Sequence, residues 1–519
     1  MATVREVTTG LLRELGMRRI FGNPGSTELA FFRDFPADFD YVLALQESVA
    51  VGMADGYAQA TRTAALVNLH SAVGVGHAMG NIFTAYRNRT PLVITAGQQA
   101  RSLLLLDPFL YSDQATELPK PYVKWSVEPA LAADVPRAIH RAWHIAMTPP
   151  CGPVFVSIPS DDWDADCEPL AVREVAHVQR ADAGALTRLA QQLRASRKPV
   201  FVVGAAVDRD CAWDDMVRLA EMHGAPVWVS PLIGRCAFPE DHPLFAGFLP
   251  AFREEIHRRL AGHDLLLAAG APLFTYHAPG AGPFAPEGLQ LHQLTEDADA
   301  AAGAVAGNSI LGNVGLALRE LVAAGRGAAP AGQAGRAAVA DLPLADPLTD
   351  RLLLQTLARL REPDSIIVEE APSSREPMHD HLPILRPETF YTCSSGGLGH
   401  GLPAAVGVAL ARPAAKVIAL IGDGSAMYAI QALWSAVQLR VPLAIIVVNN
   451  GRYEALRHFS SRFGIERPVG TELPGIDFVG IARAQGCEAL RVTRAAELEP
   501  ALRTALQAKL PVLVDVVVA

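Results

Sequence analysis

Two apolar runs that each end in a glycine-containing polar turn constrain the fold of this 519-residue chain more than any other feature. Residues 417–421 lead into Gly422-Asp423-Gly424, and a segment with helical spacing continues to Gln438. Residues 443–448 then lead into Asn449-Asn450-Gly451. Short apolar runs separated by a helix predict two parallel strands of one sheet, with their polar turns at the same edge.

The side chains at these turns suit a cation and a diphosphate. Ligands bind outside the carboxyl ends of parallel strands, so Asp423 and Asn450 are expected to converge on one ligand. A carboxylate, an amide oxygen and closely approaching glycine backbone fit Mg²⁺ that holds a diphosphate. A Rossmann dinucleotide site would need a glycine at Met427, and no P-loop motif occurs. A turn aspartate and a capping asparagine remain the structural alternative.

The alternation of apolar strands and amphipathic helices recurs along the whole chain. It predicts an α/β protein with three doubly wound parallel-sheet domains, with boundaries at 1–180, 181–342 and 343–519. A stretch rich in Gly, Ala and Pro from Ala323 to Pro347 has too few large apolar residues to pack, and we expect an exposed linker there.

Three reactive side chains follow predicted strands of the first domain. Ser26 follows RIFG and a tight turn, Glu47 follows YVLALQ, and His70 ends AALVNLH. Taken singly, they fit an N-cap serine, a glutamate at a helix N-terminus and a capped or core histidine. Together they place a hydroxyl, a carboxylate and an imidazole at one sheet edge, which favours an active site.

Composition argues against other classes of function. Half of the residues are hydrophobic, 19% are charged and the formal net charge is -9. No stripe rich in Lys and Arg is present, so no nucleic-acid partner is expected. No apolar run reaches the roughly 18 residues that a membrane span needs, and the charged N-terminal segment is unlike a signal peptide. We therefore expect a cytoplasmic protein with small-molecule partners.

The Gly-Asp-Gly turn followed by a helix, a strand and Asn-Asn resembles the cofactor signature of thiamine-diphosphate enzymes. Longer stretches, including FGNPGSTELAFFRDFPADF, NLHSA, GGLGHGLPAA and NNGRYEALRHF, resemble the benzoylformate decarboxylases within the thiamine-diphosphate-dependent 2-oxo acid decarboxylase family. The resemblance covers nearly the whole chain. It implies pyrimidine-binding, middle and diphosphate-binding domains, and non-oxidative decarboxylation of an aromatic 2-oxo acid, with benzoylformate giving benzaldehyde and CO₂.

The resemblance also implies cofactors and partners. Thiamine diphosphate would supply the electron sink that no ordinary side chain offers when CO₂ leaves a 2-oxo acid. Mg²⁺, for which Ca²⁺ can substitute, would hold the diphosphate. The two cofactor-binding domains come from opposite subunits in this family, so we expect a homo-oligomer, at least a dimer and by family analogy a tetramer.

The catalytic roles implied by the resemblance fall on four residues. Glu47 would hydrogen-bond the aminopyrimidine ring of the cofactor, and Ser26 would contact the carboxylate of the substrate. His70 would serve as the acid/base nearest the reacting carbon. His277, from the middle domain, would assist protonation and product release.

The implied ligands are carried over in the same way. The metal would be held by Asp423, Asn450 and the backbone carbonyl of Arg452. The remaining cofactor contacts would be Ser373, Gly396, Leu398, Gly424, Ser425, Tyr453 and Ala455. The apolar pocket for the aromatic ring would be formed by Phe109, Leu110, Leu456 and Phe459.

Two stretches depart from the family pattern. His400 stands where an aromatic residue is usual. Ala371-Pro372-Ser373 replaces a more hydroxyl-rich run that contacts the diphosphate. These departures affect the expected cofactor contacts and pocket shape.

Other functions remain open from the sequence. A carboligase or lyase of the acetolactate-synthase or benzaldehyde-lyase type would share the cofactor, although the pair His70 and His277 favours protonation and aldehyde release. A pyruvate or indolepyruvate decarboxylase usually carries two adjacent histidines, and this chain has no His-His pair. A non-catalytic regulatory protein that binds the cofactor, or FAD in its middle domain, is the alternative from a different class.

Overall fold

The computed structural model describes residues 1–325 and 339–519. Most of the predicted linker therefore lies outside the described residues. Its first residue, Ala323, ends a helix, and its described end, 339–347, contains no helix or strand.

The chain forms two compact units, which are defined by the following ranges. The first unit comprises Met1–Ala176, Pro343–Glu376 and Ser395–Ala519. The second unit comprises His177–Leu342 and Pro377–Ser394.

Six parallel strands form the first sheet of the first unit. Continuous apolar runs such as ALVNL are buried along their whole length, as expected for a sheet covered on both faces. The register places Val67 between Phe21 and Ile94. In spatial order the strands are Asp40–Leu43, Arg19–Gly22, Ala65–Leu69, Leu92–Gln98, Val154–Pro159 and Ser126–Val127.

Five parallel strands of a second sheet lie in the first unit. Gly422 lies opposite Val448 in this sheet, so the Gly-Asp-Gly and Asn-Asn-Gly turns leave from the same edge. This arrangement confirms the parallel pairing that the sequence predicts. In spatial order the strands are Ile366–Glu370, Val417–Gly422, Leu443–Asn449, Val512–Val517 and Glu488–Val492.

The crossover between the two central strands of this sheet is not the single helix that the spacing predicts. It consists of the helices Asp423–Tyr428 and Ala432–Gln438. The first helix stops because Ala429 takes a φ of -144°, outside the helical region.

Helices cover the two sheets of the first unit, and a short antiparallel ribbon joins Ala2–Thr3 to Asp166–Cys167. The other α-helices are Val4–Glu14, Glu47–Thr61, Ser71–Asn88, Val135–Met147, Asp350–Leu360, Gly401–Ala411, Glu454–Ser460, Phe478–Ala484 and Ala495–Gln507. The 3₁₀ turns are Ser26–Glu28, Arg101–Leu106, Ala132–Asp134, Asp162–Asp164 and Ser461–Phe463.

Two helices of the first unit, Glu47–Thr61 and Gly401–Ala411, approach each other closely because glycines line their contact. A Cβ atom at Gly56 would overlap the backbone carbonyl of Ala404. A Cβ atom at Gly407 would overlap the carbonyl of Met53. The close approach therefore depends on the absence of side chains at these positions.

The second unit contains a six-stranded parallel sheet. In spatial order its strands are Phe245–Phe248, Val227–Val229, Pro199–Val203, Leu265–Ala269, Gln290–Thr295 and Asn308–Leu311. Its helices are Ala183–Ala195, Ala205–Arg209, Trp213–His223, Arg253–Leu260, Ala298–Ala302 and Val314–Ala323. The short helix Arg375–His381 begins at the end of the first unit, and the strand Phe390–Thr392 follows it.

The predicted fold class, α/β with three parallel-sheet domains, is confirmed. Among the described residues, no helix is both long and apolar enough to cross a membrane.

The glycine-lined contact generates a stability prediction. Gly407→Ala is expected to lower the melting temperature, because packing a methyl group against a fixed backbone carbonyl costs about 1–3 kcal/mol. Gly10→Ala is the matched control, since its added methyl would meet no atom within 4 Å. That control is expected to be neutral or stabilising by up to about 1 kcal/mol. Thermal unfolding followed by circular dichroism measures both variants. A melting temperature of Gly407→Ala equal to that of the wild type would contradict the close packing.

Candidate active site

The first sheet delivers three chemically reactive side chains at the carboxyl ends of its strands. Ser26 opens the 3₁₀ turn after the strand Arg19–Gly22 and is exposed. Glu47 is the first residue of its helix, and only 7% of it is exposed. His70 is the N-cap residue of the helix Ser71–Asn88. The topology thus brings a hydroxyl, a carboxylate and an imidazole to one sheet edge.

The imidazole of His70 is held by a buried glutamate that sequence analysis did not single out. Oε2 of Glu28 lies 2.9 Å from Nδ1 of His70 and also accepts the backbone N–H of Gly25 at 2.9 Å. Its Oε1 accepts the backbone N–H of Gly97 at 3.0 Å and the hydroxyl of Thr27 at 2.6 Å. A carboxylate can only accept, so Nδ1 of His70 donates in this pair. The other ring nitrogen, Nε2, is the one available for proton transfer.

Glycine makes the close approach of Glu28 and His70 possible. A Cβ atom at Gly25 would overlap the His70 ring. In the sequence, the spacing of Gly25 and Glu28 could have indicated part of this arrangement. It matches a capping motif in which a carboxylate three residues after the N-cap accepts the N-cap backbone N–H. The partner of Glu28 across 42 residues of sequence could not be read from that spacing.

One face of the helix Ser71–Asn88 packs against Glu47. A Cβ atom at Gly74 would lie 3.3 Å from Cγ of Glu47, so the bare backbone there leaves room for the carboxylate. Nδ1 of His77, one turn further along, lies 3.1 Å from Oε2 of Glu47. His77 is a second residue near the site that sequence analysis did not single out.

The two polar turns of the second sheet meet around Asp423, of which 4% is exposed. Its Oδ1 accepts the backbone N–H of Gly424 at 2.7 Å, and its Oδ2 accepts that of Gly451 at 2.7 Å. Oδ1 of Asn450 accepts the N–H of Arg452 at 3.1 Å. Burial raises the pKa of Asp423, although the backbone donors oppose this effect. A cation at this carboxylate would relieve the cost of burying its charge.

The other predicted cofactor residues lie around these turns. Oγ of Ser373 accepts the backbone N–H of Ala455 at 3.1 Å. A Cβ atom at Gly424 would overlap the ring of Tyr453, so glycine is required beside that ring. Ser425 is buried, and Leu398 is half-buried. Gly396 takes a φ of 74°, with open space where a Cβ would stand.

Two of the four residues predicted to line a substrate pocket are exposed within one chain, and the other two are half-buried. The exposed fraction is 86% for Phe109 and 55% for Leu456. Leu110 is half-buried with a φ of 66°, and Phe459 stacks edge-on with Phe463 at a centroid distance of 5.5 Å. Large exposed apolar side chains of this kind mark ligand-binding or subunit surfaces.

His277 belongs to the second unit. Its backbone N–H donates to the carbonyl of Ala251 at 2.8 Å, and its ring lies over Phe252 at a centroid distance of 6.4 Å.

A buried carboxylate also fixes the loop that carries Leu398. Glu370 accepts the consecutive backbone N–H groups of 399–401, with distances of 2.7 Å to Gly399 and 2.8 Å to His400. Only 2% of Glu370 is exposed. The start of the helix Gly401–Ala411 is therefore anchored to the end of the strand Ile366–Glu370.

His400, where the family pattern has an aromatic residue, forms a fully buried ion pair. Its Nε2 contacts Oδ2 of Asp55, and Asn88 donates to the same oxygen at 2.9 Å. Burial alone would raise the pKa of Asp55, but the charge and hydrogen bond of His400 outweigh it and the pKa is lowered. Burial disfavours a charged imidazole, but Asp55 outweighs this effect and raises the pKa of His400.

Comparison with known proteins assigns this arrangement to a family. The N-terminal TPP binding domain of thiamine pyrophosphate enzymes matches residues 2–116, the central domain matches 186–321, and the C-terminal TPP binding domain matches 373–516. The chain is 44% identical to the benzoylformate decarboxylase of Pseudomonas aeruginosa, over 99% of this chain and 99% of that protein. The chain belongs to the benzoylformate decarboxylase family.

Solved structures of this family have the same fold. The crystal structure of benzoylformate decarboxylase from Polynucleobacter necessarius is 40% identical, with a TM-score of 0.97 over 100% of this chain and 99% of that chain. The thiamine diphosphate-dependent 4-hydroxybenzoylformate decarboxylase of Rhodococcus jostii RHA1 is 42% identical, with a TM-score of 0.97 over the same shares of the two chains. Membership in the benzoylformate decarboxylase family thus assigns thiamine diphosphate as the cofactor.

The donor chemistry at the turns fits the diphosphate end of this cofactor together with a hard cation. Asp423 supplies a carboxylate, Asn450 an amide oxygen and Arg452 a backbone carbonyl, and oxygen ligands of this kind are those that Mg²⁺ prefers. In the described part of the chain, no three or more His, Cys, Asp or Glu residues cluster as a metal site. The fit therefore depends on one carboxylate with neutral oxygens.

The Asp55–His400 pair generates a prediction about pH. Because the pKa of His400 is raised in the folded protein, this residue stabilises the fold below pH 6.5, its ordinary pKa. This stabilisation is lost as pH rises through the pKa of His400 in the folded protein. Because the pKa of Asp55 is lowered in the folded protein, this residue stabilises the fold above pH 3.8, its ordinary pKa. This stabilisation is lost as pH falls through the pKa of Asp55 in the folded protein. The pair should therefore stabilise the fold most between about pH 4 and about pH 6.5.

The double variant Asp55→Asn/His400→Phe tests this window, because it replaces both charges with neutral groups. The melting temperature of the wild type relative to this variant is expected to fall as pH rises above 6.5 through the raised pKa of His400. Differential scanning calorimetry across this range measures the difference. A constant offset between the two proteins would show that the pair carries no charge.

Proposed function

We propose that this protein catalyses the non-oxidative decarboxylation of benzoylformate to benzaldehyde and CO₂ with thiamine diphosphate. The observation that carries the proposal is the imidazole of His70, which lies at the same sheet edge as Glu47. Glu28 fixes its Nδ1, and no described residue forms a hydrogen bond with its Nε2. A fixed imidazole suits an enzyme that must deliver a proton at the reacting carbon and release an aldehyde.

The cofactor, when bound, supplies through its thiazolium ring the sink for the electron pair that remains when CO₂ leaves. The chain supplies orientation and protons. Glu47 would hydrogen-bond the aminopyrimidine ring, and its burial keeps water from competing for that bond. The exposed hydroxyl of Ser26 would orient the substrate carboxylate. His70 would exchange a proton through Nε2 while Glu28 holds Nδ1.

We assign the metal to Mg²⁺, held by Asp423, Asn450 and the carbonyl of Arg452. Supporting this assignment, Asp423 bridges both strand-end turns through backbone N–H groups and is buried without a hydrogen bond from a cationic side chain among its described partners. A divalent cation there would neutralise the carboxylate and hold the diphosphate against the neighbouring glycine backbone.

The aromatic ring of the substrate would lie against Phe109, Leu110, Leu456 and Phe459. Exposed aromatic and aliphatic groups of this size suit a phenyl ring once they are enclosed. Because a relative from Rhodococcus jostii RHA1 acts on 4-hydroxybenzoylformate, ring-substituted benzoylformates are included in the proposed substrate class. His277 would act after CO₂ has left.

We further propose a homo-oligomer of at least two subunits. Three apolar side chains that are close in sequence are exposed within one chain, with exposed fractions of 98% for Leu105, 72% for Leu106 and 86% for Phe109. A second copy of the chain would remove such side chains from water. A carboligase of the acetolactate-synthase or benzaldehyde-lyase type would share the cofactor and differ in its product.

Replacing the proposed acid/base tests the function. His70→Ala is expected to lose at least ~100-fold in kcat on benzoylformate while thiamine diphosphate stays bound, because general acid/base catalysis contributes about 10²- to 10⁴-fold. His277→Ala should lose less, since its step follows the loss of CO₂. Steady-state rates with cofactor content measured in parallel check both variants. If His70→Ala kept more than about a tenth of the wild-type rate, His70 would not be the proton carrier.

Removing the proposed metal ligand tests cofactor retention. Asp423→Ala is expected to lose thiamine diphosphate on desalting in Mg²⁺ buffer, because the cation loses its only carboxylate ligand in this set. Asp241→Ala, which removes an exposed carboxylate of the second unit, is the control and should retain it. Cofactor content is measured after acid release. Mg²⁺-dependent retention by Asp423→Ala would place the metal elsewhere.

A further inference from the structure

His77 has a titratable side chain that contacts Glu47 and that the proposed mechanism does not use. Its Nδ1 lies 3.1 Å from Oε2 of Glu47, and 57% of its side chain is exposed. It stands on the helix Ser71–Asn88, seven residues after His70. Two helical turns therefore separate the two histidines on one face.

That helix face is fixed against the helix that Glu47 begins. Asn81, one turn beyond His77, donates to the carbonyl of Ser48 at 2.7 Å and to that of Gly399 at 3.2 Å. Gln46 donates to the backbone carbonyl of His77 at 3.4 Å. The backbone that carries His77 is thus tied to the residues on both sides of Glu47.

The two oxygens of Glu47 lie in different surroundings. Oε1 lies next to Gly74, where a Cβ atom would stand 3.3 Å away, so the bare backbone of Gly74 leaves space beside this oxygen. Oε2 faces the His77 ring. Because a carboxylate only accepts hydrogen bonds, Nδ1–H of His77 is the donor in the neutral ring. One oxygen of Glu47 is held, and the other is left for a ligand.

We propose that His77 is a positioning residue for Glu47, which fixes the carboxylate so that Oε1 meets the aminopyrimidine ring. The inference rests on the proposed role of Glu47 and adds a residue to it. A hydrogen bond to a charged acceptor is stronger than a neutral one, which is sufficient to select one rotamer of a glutamate at a helix N-terminus. His77 itself touches no substrate atom in this role.

Two substitutions separate the hydrogen bond from other properties of the side chain. His77→Leu removes the donor and keeps an apolar body. His77→Asn keeps a donor, because the Asn amide nitrogen reaches nearly the position of Nδ1. His77→Leu is expected to lower kcat on benzoylformate about 10-fold with KM within about 2-fold, and His77→Asn to stay within about 3-fold of wild-type kcat.

The affinity of the His77 variants for the cofactor gives a second measurement, which does not depend on turnover. Quenching of tryptophan fluorescence on titration with thiamine diphosphate and Mg²⁺ gives the dissociation constant. This constant is expected to rise about 5-fold in His77→Leu and to recover in His77→Asn, since a mobile carboxylate pays an entropic cost on binding. The melting temperatures of the cofactor-free proteins should agree, because the side chain is mostly exposed.

The Glu47→Ala background completes the test. If His77 acts through Glu47, adding His77→Leu to Glu47→Ala changes neither the rate nor the cofactor affinity further. Additive losses, an unaffected His77→Leu, or a His77→Asn as impaired as His77→Leu would each overturn the proposal. If the wild type does not turn over benzoylformate, the proposed function fails. The cofactor dissociation constants of the single and double variants would still decide whether His77 positions Glu47.

Discussion

The candidate active site depends on buried carboxylates that accept the backbone N–H groups of glycine residues. Glu28 holds the N–H groups of Gly25 and Gly97. Asp423 holds those of Gly424 and Gly451. Burying an unpaired carboxylate costs several kcal/mol, and charge-assisted hydrogen bonds to fixed amides offset that cost. Each carboxylate thereby sets the shape of a turn that carries functional groups.

The parallel sheets decide where these turns lie. All strands of a parallel sheet end at one edge, so residues far apart in sequence meet there without long loops. Glu28 and His70 are 42 residues apart, and Gly451 and Asp423 are 28 apart, yet both pairs are in hydrogen-bond contact. The cofactor then needs only to be held and oriented, because the side chains that we propose to handle protons are already fixed.

The sequence predicted the elements with the strongest apolar periodicity. Continuous runs such as ALVNL and VIALIG fold as buried strands, and the polar turns at Asp423 and Asn450 leave from one sheet edge, as their spacing predicted. The strand Gln290–Thr295 went unpredicted because its buried positions include polar residues, so it lacks an apolar run. The crossover consists of two helices because the backbone at Ala429 leaves the helical region. The spacing of apolar residues in the sequence does not indicate this change in backbone angle.

The partners of the site residues were harder to predict than the residues themselves. Ser26, Glu47 and His70 follow apolar strands, which is a local signal. For Glu28 the local spacing indicates only a capping motif, and for His77 it indicates nothing, because the role of each residue depends on the side chain that it contacts across the fold. The ion pair between Asp55 and His400 spans 345 residues, so the sequence flagged His400 only as a departure from the family pattern.

The central claim is that a fixed imidazole makes this protein a decarboxylase that releases an aldehyde. Its most direct test is product analysis of the purified protein with benzoylformate, with and without thiamine diphosphate and Mg²⁺. Our account predicts benzaldehyde and CO₂ in equal amounts, formed only when both additions are present. Release of CO₂ with a condensed hydroxyketone as the sole organic product, or no reaction at all, would contradict it.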